Sequence, residues 1–134
     1  MPLVRLSVIL VVLALALTAP SPEASARGGG GGAGEVRVAG TCGKGATSKL
    51  RLRARDGGIR VQFEVDHSRA GGAWRVVLVQ DRRVVWRGRA RTRGVGDSFE
   101  IQRRLRDLPG ADQVTARASG PGGLTCAASA TLPG

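Results

Sequence analysis

The chain has 134 residues and a formal net charge of +11, with 21 basic residues against 10 acidic ones. It holds one histidine, two tryptophans, two phenylalanines and no tyrosine, which excludes a multi-histidine metal centre and leaves few rings for stacking on nucleobases. The length predicts one small domain, and the charge predicts anionic partners.

Residues 1–26 have the pattern of a secretory signal peptide. Arg5 supplies a positive start, residues 6–17 are an almost unbroken apolar run, and residues 24–26 place small side chains where a signal peptidase cleaves. The apolar run is shorter than the roughly 20 residues that cross a bilayer. We therefore expect cleavage before Arg27, secretion, and no transmembrane segment in the mature chain. A retained anchor is the alternative.

The mature chain divides into a tether and a domain. Residues 27–34 are almost all glycine and are expected to form a flexible tether, whereas residues 35–134 suffice for one domain with a modest core. Cys42 and Cys126 lie near the two ends of this domain. An even pair in an oxidising compartment predicts a disulfide, and the long separation differs from the Cys-x-x-Cys spacing of redox-active pairs.

Residues 49–66 alternate apolar and polar side chains with a period of two, which predicts a β-hairpin. Placing Gly57 and Gly58 at the centre of a primed turn determines the register of its two strands. The pairs predicted to face each other are Leu52 with Phe63, Leu50 with Val65, Arg51 with Glu64, and Lys49 with Asp66.

Further short strands follow, separated by residues typical of turns such as Pro109-Gly110 and the run 120–123. They are predicted over residues 36–39, 74–80, 84–93, 98–105, 112–119 and 124–132. With the first hairpin they predict an all-β antiparallel sandwich of seven or eight strands, immunoglobulin-like in arrangement, with almost no helix. The cysteine placement differs from that of an antibody domain, so the topology stays open.

One strand departs from a plain alternation of apolar and polar side chains. Phe99, Ile101 and Leu105 share a parity that also turns Arg103 inward, which predicts either a bulge or an open end of that strand. Trp74 and Trp86 are expected to pack in the core or against a sheet rather than to bind a ligand.

Arginines at alternate positions of the strand 84–93 form the best candidate for anion binding. They are Arg87, Arg89, Arg91 and Arg93, with Arg75 expected beside them on the partner strand. Such side chains project from one face about 6.7 Å apart. Neither of the two registers considered for the partner strand brings an acidic residue opposite them. The alternative is that the arginines only prevent edge-to-edge pairing of the strand.

No arrangement of residues predicts catalysis, a cofactor or a metal site. Adjacent Asp66, His67 and Ser68 point in different directions at a strand end and cannot form a catalytic triad. The carboxylates show no spacing that singles out a catalytic pair, and no glycine run lies between a strand and a helix as a phosphate loop requires. We expect a non-enzymatic protein. The alternative is an enzyme or enzyme inhibitor that acts on envelope material.

The predicted partners are an anionic cell-wall polymer, an acidic membrane surface or another exported protein. A dedicated nucleic-acid binder is not expected, because sequence-tolerant binders of single strands interleave aromatic and basic residues. The leading hypothesis is a secreted module that binds or coats the cell surface.

A set of short segments spans most of the mature chain. It comprises Gly40-Thr41-Cys42, residues 63–66 with Arg69 and Gly71, Trp74-Arg75-Val76, residues 96–100, residues 114–118, and Cys126 with residues 130–132. With the signal peptide, this set resembles a group of small, uncharacterised secreted proteins of high-GC actinobacteria. The resemblance implies secretion and a compact, disulfide-tied domain, and it carries over no catalytic residue.

Overall fold

The computed structural model describes residues 34–66, 72–92 and 97–134. The predicted signal peptide and all of the predicted tether except Gly34 lie outside these ranges. Within them the chain forms nine β-strands and one 3₁₀ turn at Pro121–Gly123. The strands are β1 (Glu35–Ala39), β2 (Thr41–Cys42), β3 (Thr47–Arg55), β4 (Gly58–Asp66), β5 (Ala73–Gln80), β6 (Arg83–Arg91), β7 (Ser98–Arg106), β8 (Asp112–Ser119) and β9 (Thr125–Leu132).

The strands form two antiparallel sheets, one with the order β1-β3-β4-β7 and the other with the order β2-β9-β8-β5-β6. The all-β class and the antiparallel two-sheet architecture are therefore confirmed. The immunoglobulin-like arrangement is not confirmed. In immunoglobulin constant domains the consecutive strands B and C lie in different sheets, whereas here β3 is followed by β4 in the same sheet.

The core lies between the sheets, because alternate side chains of each strand point toward the opposite sheet. Phe99 links the aromatic residues of this core. Its ring centroid lies 6.4 Å from that of Phe63 and 5.5 Å from that of Trp74. Trp74 is 1% exposed, so the prediction that it packs in the core is confirmed.

The predicted register of the β3–β4 hairpin is wrong by two residues. Asp56 and Gly57 form its turn, with φ of 52° and 72°, and Asp-Gly is a preferred pair for the type I′ turn, in which both central residues have positive φ. Leu50 therefore faces Phe63. Because the shift is by an even number of residues, the side chains predicted to point into the core still do so.

The shift also changes the predicted charge pairs of this hairpin. Lys49 faces Glu64 rather than Asp66, and Arg51 faces Gln62. The charge complementarity between β3 and β4 is therefore smaller than the sequence pattern indicates.

Glu35 of β1 is the acidic partner of Arg51. Its carboxylate lies 2.8 Å from a guanidinium nitrogen of Arg51. Arg37 and Arg53 also approach it, at 2.6 and 3.6 Å. The hydrogen bond from Arg51 is the main cause that holds the pKa of Glu35 below its ordinary value. This cluster ties the first strand to β3.

The predicted disulfide between Cys42 and Cys126 is confirmed. The two residues are direct cross-strand partners on β2 and β9, with their Cα atoms 4.1 Å apart, and they are separated by 84 positions in the sequence. The bridge thus joins strands of the same sheet, near the two ends of the domain. A disulfide is compatible with an oxidising, extracytoplasmic location.

Arg103 lies at an open side of the sandwich rather than at a bulge. β4 and β7 pair without a register shift, so Arg103 does turn toward the space between the sheets. β7 and β6 are each at one edge of their sheets, and the guanidinium carbon of Arg103 lies 4.5 Å from the centroid of the Trp86 ring. Of the two predicted alternatives, a bulge or an open end of the strand, the structure contains the open end.

Candidate anion-binding face

The β5–β6 hairpin sets the direction of the predicted arginines. Its turn is Asp81-Arg82, with φ of 47° and 69°, and a register shift follows between Leu78 and Val79. Beyond it, Arg89 faces Arg75. Of the two registers considered from the sequence, the one that brings Arg75 to this surface is therefore the correct one.

Five arginines share the outer side of the five-stranded sheet, and we call them the basic face. They are Arg75, Arg87, Arg89, Arg91 and Arg117, and all are exposed. Arg87 and Arg117 flank Val77 in one row across three strands. Arg93, the remaining predicted member, lies outside the described residues, as does His67.

Arg117 belongs to the basic face but was not predicted from the sequence. The alternation of β8 does signal that Arg117 points outward, because Ala116 and Ala118 on either side of it are buried. Its proximity to Arg87 depends instead on the order of the strands, in which β8 lies next to β5. No local pattern reports which distant strands become neighbours.

Carboxylates are absent from the basic face within the ranges that the structure describes. Asp112 is the acidic residue of β8, and it is buried at 1% exposure, where it accepts a hydrogen bond from Gln80 at 2.8 Å. Asp81 lies in the turn and accepts a hydrogen bond from the backbone of Gln113 at 2.9 Å. None of the five arginine side chains forms an ion pair or a hydrogen bond with another described residue.

Two shallow depressions cross this side of the sheet. One, of about 410 Å³, is lined by Arg75, Arg89 and Gly120. The other, also of about 410 Å³, is lined by Arg117 together with Thr41 of β2 and residues of β9. Ser119 lines both, so the two depressions are neighbours on the sheet. Arginines line each of them.

Trp86 supports strand β6 from the opposite, inner side. Its ring lies so close over Gly88 that a Cβ there would sit 2.2 Å from two ring carbons. The guanidinium of Arg103 lies against the same ring, which gives a cation–π contact between β7 and β6. Glycine at position 88 therefore allows this contact to form.

Replacing Gly88 by Ala is expected to push the Trp86 ring away from the strand and to weaken its contact with Arg103. We expect a loss of about 1–2 kcal/mol in the free energy of unfolding and a red shift of tryptophan fluorescence. Gly43→Ala is the matched control, because nothing lies within 4 Å of a Cβ at Gly43. Equal stability and equal spectra for the two variants would contradict this packing.

Within the ranges described, no group of three or more His, Cys, Asp or Glu side chains could hold a metal ion. In the same ranges no helix is long and apolar enough to cross a membrane.

Comparison of the chain with protein-family models, curated proteins and solved structures finds no match.

Proposed function

We propose that this protein is a secreted, non-enzymatic module that binds a phosphate-rich polymer of the cell envelope through its basic face. The observation that carries the proposal is the unpaired positive charge on one side of the five-stranded sheet. Arg75 and Arg89 face each other directly, and like charges in that position destabilise a sheet. A polyanion that bridges them would turn this repulsion into attraction.

Protection of a sheet edge explains only part of this charge. Arg87, Arg89 and Arg91 lie on β6, an edge strand, where charged side chains prevent pairing with another molecule. Arg75 lies on β5 and Arg117 on β8, and both of these strands have neighbours on each side. Edge protection does not account for arginine on these inner strands, whereas an anion-binding surface accounts for it.

The shape of the basic face favours an extended ligand. Arginines along β6 are spaced by about 6.7 Å, and neighbouring strands lie about 4.8 Å apart. The two neighbouring depressions are lined by Arg75 and Arg89 in one case and by Arg117 in the other, so a flexible chain that crosses the strands could meet arginines along its length. Guanidinium groups bind phosphate oxygens in a bidentate manner, which suits a phosphate-rich polymer.

Secretion is part of the same proposal. The disulfide between Cys42 and Cys126 and the signal-like residues 1–26 support export to an oxidising compartment. The resemblance to small secreted actinobacterial proteins agrees with it.

Sedimentation with isolated cell wall tests the proposal. We expect the purified protein to pellet with the walls in a salt-sensitive manner, and to pellet far less with walls stripped of their phosphodiester polymers. Replacing Arg75, Arg87, Arg89 and Arg91 by Ser should weaken binding about tenfold or more, because each charge-assisted contact contributes on the order of 1.5–3 kcal/mol at best.

The matched control removes the same amount of charge elsewhere. Arg37, Lys44, Lys49 and Arg106 lie outside the basic face, and their replacement by Ser should leave most of the sedimentation intact. Equal losses of sedimentation in the two variants would show that binding depends only on net charge and would refute the basic face as the binding surface. Binding to vesicles of acidic lipid, without binding to walls, would assign the face to a membrane surface instead.

A further inference from the structure

A second basic site lies on the four-stranded sheet, on the other side of the molecule from the basic face. It is a cleft of about 430 Å³ beside the β3–β4 turn, lined by Arg55, Asp56, Arg60, Gln102, Arg103 and Arg104. Its volume falls in the range typical of sites for small molecules. Four of the six residues that line it are arginines.

The register of three strands concentrates this charge. Arg60 on β4 faces Arg53 on β3 and also faces Arg104 on β7. Three guanidinium groups thus start from one row, with neighbouring Cα atoms about 4.5–5.5 Å apart. Arg53 is drawn toward Glu35, at 3.6 Å, whereas Arg60 forms no ion pair with any described residue.

Two of the arginines are held in place before any ligand binds. Arg104 donates a hydrogen bond to the carbonyl oxygen of Asp56, and its guanidinium lies against Gly58, where a Cβ would come within 2.7 Å of Nε. Arg103, which turns toward the space between the sheets, is stacked on Trp86 and donates to the carbonyl oxygen of Gln102 at 3.2 Å, so it borders the cleft from the side opposite to Arg104. Side chains ordered in advance lose less entropy when they bind.

The chemistry of the cleft points to one kind of ligand. Guanidinium groups that start from neighbouring strands on one side of a sheet suit a tetrahedral anion, whose oxygens accept several charge-assisted hydrogen bonds at once. The single carboxylate that lines the cleft, Asp56, has a side chain that is 76% exposed, and Arg55 approaches it at 3.5 Å. Positive charge therefore outweighs negative charge in the cleft.

We propose that this cleft binds a phosphate group, with Arg60 and Arg104 as its main ligands and Arg103 at its rim. The ligand is either inorganic phosphate or the terminal phosphate of a small phosphomonoester. This site is separate from the basic face and does not depend on the proposed function.

Calorimetric titration of the full-length mature protein tests the site with two probes, inorganic phosphate and glucose 6-phosphate. We expect saturable binding of one phosphate group per chain. Tighter binding of glucose 6-phosphate would assign the cleft to a phosphomonoester, and equal binding would assign it to the phosphate group alone. The double variant Arg60→Gln, Arg104→Gln should bind both probes at least about tenfold more weakly than the parent.

The control variant Lys44→Gln, Lys49→Gln removes the same charge at exposed positions outside both basic sites and should bind both probes as the parent does. Circular dichroism of both variants reports whether the fold is kept. Unchanged binding by the cleft variant, equal losses in both variants, or no saturable binding by the folded parent would each overturn the proposal.

Asp56→Asn gives a second test, in which binding should increase. Asn-Gly is a preferred pair for a type I′ turn, so the hairpin should keep its register. Removing the one carboxylate that lines the cleft should tighten phosphate binding roughly threefold, because a charge a few ångströms away in water is worth about 1 kcal/mol or less. Unchanged or weaker binding by this folded variant would place the anion elsewhere.

Discussion

Replacing Cys42 and Cys126 by Ser is expected to lower the free energy of unfolding by about 4 kcal/mol. The bridge closes a loop with a sequence separation of 84, so its absence restores much conformational entropy to the unfolded chain. It also removes the covalent attachment of β2, which has only two residues and pairs only with β9 among the described strands. We expect β2 to detach while the rest of the five-stranded sheet persists.

Urea denaturation of the parent and of the double serine variant measures this effect, and amide hydrogen exchange locates it. Exchange should rise first at Thr41 and at the edge of β9 that faces it. Intact-mass analysis of the parent should show two free thiols only after reduction. A loss below about 1 kcal/mol, or two free thiols in the exported parent, would contradict the structural role of the bridge.

Trp74→Ala is expected to destabilise the protein by about 3–5 kcal/mol, which is the usual cost of deleting a buried aromatic ring. Trp74 is 1% exposed and contacts Phe99 across the core, with the ring centroids 5.5 Å apart. Gly120 leaves room for its ring, since a Cβ at that position would lie 2.5 Å from a ring carbon. The pocket is thus shaped for this side chain, and a smaller one leaves a cavity.

Trp86→Ala is the matched control for this substitution. Trp86 is only partly buried and packs at the rim of the core, under Arg103. Its removal should cost about 1–2 kcal/mol. Thermal or chemical denaturation compares the two variants directly. Similar losses for both would contradict the assignment of Trp74 to the core and of Trp86 to the open side of the sandwich.

The strands could be predicted from the sequence because their side chains alternate. The segment 112–119 is confirmed with the same bounds, and the other strands agree to within two residues at each end. The predicted end of the segment 84–93 includes Arg93, which lies outside the described residues. β2 was not predicted, because two residues between Gly40 and Gly43 show no period. A short strand of this kind depends on its partner, here β9.

Register was harder to predict than the strands themselves. The run Asp56-Gly57-Gly58 offers two possible turns, and both keep the same side chains in the core. The choice rests on turn chemistry, in which Asp accepts a positive φ and the Asp-Gly pair favours the type I′ turn. Composition and periodicity alone cannot decide between them.

The basic face and the cleft differ in how much of each can be predicted from local sequence patterns. The arginines of β6 are visible as a period of two, whereas Arg117 and the row formed by Arg53, Arg60 and Arg104 arise only when distant strands pair. The sequence therefore predicted part of one surface and none of the other. Pairing between remote strands is set by the whole core rather than by any one segment.

The central claim is that the basic face is a binding surface for a polyanion. Titration of the ¹⁵N-labelled protein with long-chain polyphosphate, followed through its backbone amide signals, tests this most directly. We expect the largest shift changes along Arg87, Arg89 and Arg91 and at Arg75 and Arg117, decreasing as salt is added. Separate changes at Arg60 and Arg104 would report the cleft on the other sheet. Changes spread evenly over both sheets, or absent from the basic face, would contradict the claim.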